Sequence, residues 1–77
     1  MEQNTALANR LKSLCEEKGI SYADLAQKSG IPVRRIQRMA FGATSNPTVF
    51  MMLRICDALG ITLDEFFGTD EFKDFRA

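Results

Sequence analysis

Apolar residues recur at helical spacing along nearly the whole of this chain, and its five glycines all fall between those stretches. Leu7, Leu11, Leu14 and Cys15 share one stripe, with Ala8 at its edge. Leu25 and Ala26, then Ile36, Met39 and Ala40, give two shorter segments an apolar side each. Residues three and four apart meet on one helix face, whereas a strand needs alternation with a period of two. No segment sustains that alternation, so no sheet is expected. The fold class predicted is all-α, a compact bundle of five helices.

Cap chemistry sets the expected boundaries. Asn4 or Thr5 is the expected N-cap of the first helix, which Gly19 stops after Lys18, leaving Ile20 to tuck into the core. Ser21 caps the second helix, with Asp24 three residues on as a carboxylate variant of the capping box. Ser29-Gly30 breaks it. Ile31-Pro32 opens a third helix over 32–41, because proline is tolerated in a first helical turn where its missing N–H has no partner to lose. Residues 42–47 read as a loop by composition. Thr48 caps a fourth helix whose Val49, Met52, Leu53, Ile55, Cys56 and Leu59 form a wide buried stripe, ended by Gly60. Thr62 with Glu65 is a full capping-box pattern for a short fifth helix through Phe67. This divides the chain into a helical domain over 1–67 and a tail over 68–77.

Seventy-seven residues allow one domain with one core. At 45% hydrophobic and 26% charged the chain is expected to be globular rather than disordered. No apolar run approaches the ~18 residues a membrane-spanning helix needs, and no signal peptide opens the chain. An intracellular, cytoplasmic protein is expected. Cys15 and Cys56 lie on apolar helix faces without a companion histidine, so buried thiols are expected rather than a disulfide or a metal site.

The formal net charge is zero, but its distribution is uneven. Residues 28–41 carry Lys28, Arg34, Arg35 and Arg38 and no acid, while 57–77 carry six acids against Lys73 and Arg76. A phosphate backbone responds to the local field. On a helical wheel with Val33 at 0°, Met39, Ile36 and Ala40 fall near about 240°, 300° and 340°. Arg34 and Arg38 fall near about 100° and 140°, with Gln37 near 40° and Arg35 near 200°. Two helices joined by a tight turn, the second cationic on its outer side, is how a small domain presents a helix to the major groove. An arginine fork matches guanine O6 and N7, glutamine pairs with the adenine edge, and Val33 suits a thymine methyl. Arg35, off to one side, is better placed for phosphate. Phe41, near about 80°, either folds back on the loop or sits by a DNA sugar.

The stretch from Ala23 to Ile31 (Ala-Asp-Leu-Ala-Gln-Lys-Ser-Gly-Ile), with Ile36, Gly42, Asn46-Pro47-Thr48, Ile55-Cys-Asp-Ala-Leu-Gly-Ile61 and Leu63-Asp-Glu-Phe-Phe67, resembles the lambda-repressor/Cro-like helix-turn-helix domains, also called Xre-type regulators. The resemblance covers about residues 7–67. It implies that the third helix enters the major groove with Val33, Arg34 and Arg38 facing bases and Gln37 beside them. It further implies that Ser21, Tyr22, Thr44, Ser45 and Asn46 hold the DNA backbone. Three departures from the family pattern stand out: Tyr22 where glutamine is frequent, Pro32 in place of a Ser/Thr cap, and an exposed Phe41. Tyr22 has packing over the junction of the second and third helices as its alternative role.

Phe50 and Met51 fall outside the fourth helix's expected stripe, and with Phe72 and Phe75 they suggest a contact surface. The tail phenylalanines either dock on the core or meet another subunit. A homodimer reading a palindromic operator is expected, as each subunit would offer one recognition helix. Two readings of function result. One is a sequence-specific transcriptional regulator of a bacterium or phage, a repressor, bound to double-stranded DNA and acting with the nucleoid. The other is a protein-binding module of the same fold, such as an antitoxin or adaptor. With no histidine, no clustered carboxylates and no glycine-rich phosphate loop, no enzyme is expected, nor any cofactor, metal or small-molecule substrate.

Overall fold

Five helices account for most of the computed structural model, which describes residues 3–43, 47–70 and 72. They are α1 (Gln3–Lys18), α2 (Tyr22–Ser29), α3 (Val33–Ala40), α4 (Val49–Leu59) and α5 (Leu63–Phe67). Among the described residues there is no strand, and no helix is long and apolar enough to cross a membrane.

The helix ends follow the cap chemistry closely. Ser21 Oγ accepts from the Asp24 N–H at 3.1 Å, Thr48 Oγ1 from Met51 N–H at 3.1 Å, and Thr62 Oγ1 from Glu65 N–H at 3.1 Å. Only Thr62–Glu65 is a reciprocal box, the Glu65 carboxylate accepting from the Thr62 N–H. Three helices end in one way: Ile20 N–H donates to Cys15 C=O, Ala43 N–H to Arg38 C=O and Ile61 N–H to Cys56 C=O. Each is a six-to-one closure around a glycine held at positive φ (Gly19, Gly42, Gly60), which satisfies carbonyls the helix itself leaves open. Two boundaries depart from expectation. α1 begins at Gln3, so Asn4 and Thr5 lie inside the helix rather than capping it. α3 is one residue shorter at each end than 32–41, because Pro32 has extended ψ and stands as the N-cap, and Phe41 closes the other end.

The core lies where the helical stripes converge. Leu11, Leu25, Ile36, Met39, Ile55 and Phe66 are the largest fully buried side chains, one or two from every helix. Each such side chain contributes roughly 1.5–3 kcal/mol by leaving water. Phe72 joins them: it is buried, with its ring 5.0 Å from Phe67 and 6.2 Å from Phe66. Of its two expected fates it takes docking on the core, which removes it from the expected dimer surface. Arg10 locks the same corner, donating to the Phe66 and Glu65 carbonyls at 2.9 and 2.8 Å and so satisfying the open end of α5.

α4 is rotated from its expected setting. Met51 is buried, whereas Val49 and Leu53, expected inside, are 66% and 44% exposed. Packing against α2 as well as α5 and α1 turns the core-facing arc toward Met51 and Ala58. Met51 therefore belongs to the core and not to an outer contact surface; Phe50, 77% exposed, does lie outside. Cys15 and Cys56 are buried free thiols, as expected.

A candidate nucleic-acid interface on the third helix

The turn between α2 and α3 is built by four consecutive residues. Ser29 is buried; its hydroxyl donates to Ala26 C=O at 3.4 Å and accepts from Ile31 N–H at 3.3 Å. Gly30 takes φ 73°, a left-handed conformation that a side chain would strain even though a Cβ there would meet open space. Ile31 then plugs the core, 5% exposed, and Pro32 fixes the entry of α3. Ile36, Met39 and Ala40, all at 0%, bury the inner side of α3 against α1 and α2.

What remains of α3 faces water. Val33, Arg34, Arg35, Gln37 and Arg38 are all exposed, so the structure brings every α3 residue of the expected reading surface to the outside. Arg34 and Arg38 are one turn apart on a single side. Among the described residues no carboxylate forms an ion pair with any of the three arginines. Their guanidinium donors are thus available to an external acceptor, and a rigid fork of N–H groups suits a guanine edge or a phosphate.

The flanks are mixed. Ser21 is exposed at the start of α2 with its hydroxyl already accepting from Asp24 N–H. Tyr22 is half-buried and packs against the core beside Cys15 and Glu16. Burial, then the nearby Cys15 and Glu16, pushes its phenol above the ordinary value, keeping it a neutral O–H donor. Thr44, Ser45 and Asn46, expected to hold backbone, lie outside the described residues, as does Phe75. Phe41 is 73% exposed at the C-terminal end of α3, so it does not fold into the core.

One residue escaped the sequence reading. Lys12, on α1, places its Nζ 5.9 Å from the centre of the Phe41 ring. It also lines a shallow cleft with Ser21 and Tyr22. Nothing in its local sequence marks it, because its position depends on α1 packing beside α3.

Comparison with known proteins agrees with this geometry. A family model described as helix-turn-helix (HTH_3) matches residues 11–66. Among solved structures, the chain is similar to an HTH_3 family transcriptional regulator from Vibrio cholerae, with a TM-score of 0.81 and 26% identity over 90% of this chain. The match takes in 38% of that regulator, so this chain spans well under half of its length. The search of curated proteins gave no match. With the motif, the five-helix order and the family match over most of its length in agreement, this chain belongs to the HTH_3 helix-turn-helix family, the Xre/lambda-repressor-like DNA-binding domains.

Proposed function

We propose that the protein is a sequence-specific DNA-binding transcriptional regulator, a repressor acting by occupying its operator, with α3 as the reading helix. The observation that carries this is the outer side of α3, where Arg34, Gln37 and Arg38 are exposed together with no described carboxylate partner. Arg34 and Arg38 read guanines, Gln37 an adenine and Val33 a thymine methyl. Arg35, Ser21 and Tyr22 hold phosphates, joined by Thr44, Ser45 and Asn46, which follow α3 in the sequence. The similar Vibrio cholerae structure, that of a transcriptional regulator, supports the regulatory part of the reading. No catalytic step is involved, and the site of action is bacterial or phage DNA in the cytoplasm.

The regulator works as a homodimer on a palindromic operator. Val49, Phe50 and Leu53 are exposed on one side of α4, an apolar strip that a second copy of the chain would cover. A dimer sets two α3 helices about 34 Å apart, one turn of DNA.

Selection of bound duplexes from a random DNA pool tests the reading. Enrichment of a two-half-site sequence containing guanines, with affinity that falls steeply as salt rises, is the expected result. No enrichment, or binding that is indifferent to salt, contradicts it and favours a protein-binding module of the same fold.

A further inference from the structure

We propose that Lys12 and Phe41 form a backbone clamp beside the reading face, in which the lysine ammonium holds a DNA phosphate and the phenylalanine ring packs on the adjoining deoxyribose. This rests on the DNA-binding reading above and adds an element from α1 to it.

Phe41 continues the row Val33–Gln37–Phe41, each residue one turn beyond the last, so its ring extends the same side of α3 that carries Arg34 and Arg38. At 73% exposure it contributes little to the core. A large apolar ring held in water at the end of a cationic surface is suited to the apolar edge of a sugar.

Lys12 supplies the charge. Lys12 is half-buried on α1. The ammonium lies over the Phe41 ring at 5.9 Å and forms no ion pair with a described carboxylate. The cleft that Lys12 lines also includes Ser21 and Tyr22. It therefore stands between the start of α2 and the end of α3, the two places where backbone contacts flank the reading helix. An ammonium has three donors on a compact charge, so it can rest on a ring on one side and bind a phosphate oxygen on the other.

The test uses the full chain, the duplex enriched from the random pool and a shuffled duplex, with affinity measured across a salt series. Lys12→Gln is expected to reduce the slope of log affinity against log salt by about 0.9 and to weaken both duplexes equally, since a phosphate contact carries no sequence information. Lys12→Arg restores the slope. Phe41→Ala is expected to weaken both duplexes with the slope unchanged and the melting temperature preserved. An unchanged slope and affinity in Lys12→Gln, while the wild type still discriminates between duplexes, overturns the clamp alone. A Phe41→Ala variant that melts several degrees lower shows the ring bracing its loop and overturns its part in the clamp. A wild type that binds neither duplex overturns the DNA-binding reading and the clamp with it.

Discussion

α3 and α4 each bury one side in the same core, yet they differ in almost everything they leave outside. α3 exposes Arg34, Arg35, Gln37 and Arg38, with Val33; α4 exposes Val49, Phe50 and Leu53, with Arg54 and Asp57. α4 has a side-chain cap in Thr48, whereas α3 enters through Pro32 with none. The contrast teaches that burial says which side of a helix is structural, while the chemistry of the opposite side says what the helix is for. A cationic, hydrogen-bonding outer side suits a polyanion with patterned edges, and an apolar one suits another protein surface.

Substitutions on the two outer sides are expected to act on different properties. The largest expected effect is on DNA: Arg34→Ala with Arg38→Ala removes two contacts worth about 1–3 kcal/mol each, a loss of roughly 30-fold to 20,000-fold for the enriched duplex. Anisotropy titration measures it, and circular dichroism is expected to show an intact fold. Next is the neighbouring pair on α4. Met51→Ala opens a cavity and costs roughly 2–5 kcal/mol in urea unfolding, whereas Phe50→Ser changes monomer stability by under about 1 kcal/mol and instead weakens self-association in sedimentation. Equal destabilisation by both would place Phe50 in the core.

Thr48→Ala should cost about 1 kcal/mol, since it orphans the Met51 N–H, while Pro32→Ala removes no cap bond. A pH series on unfolding gives the finest distinction. Burial raises the Cys15 and Cys56 thiols above their ordinary value of 9.0. The native state thus holds those protons longer than the unfolded chain, so the thiols' contribution to stability is fully present below pH 9.0 and is lost as pH rises through the raised values. Replacing both cysteines with alanine should make that alkaline decline shallower, leaving the part that the raised Tyr22 phenol supplies.

Most of this was legible in the sequence because it is local. Caps at Ser21, Thr48 and Thr62, and the glycine stops, depend on residues within five positions of one another, and each stands where its chemistry puts it. The outer side of α3 was legible for the same reason, since eight residues of one helix fix their own wheel. What the wheel could not set was absolute rotation where several helices compete for one neighbour. α4 turned Met51 inward and Leu53 outward because α2 packs against it, a contact no local pattern encodes. The Phe72 ring meets Phe66 and Phe67 beyond the end of α5, where no helical wheel applies, and Lys12 reaches Phe41 because α1 packs beside α3.

The arginines themselves offer the most direct test of α3 as the reader. Arg10 already spends its Nε–H on the Phe66 carbonyl at 2.9 Å, whereas Arg34 and Arg38 project into water. In a nitrogen-15 NMR titration with the enriched duplex, the Nε–H signals of Arg34 and Arg38 should move and become protected from exchange while that of Arg10 stays in place. Movement at Arg10 with Arg34 and Arg38 unaffected would contradict the assignment of α3 as the helix that reads DNA.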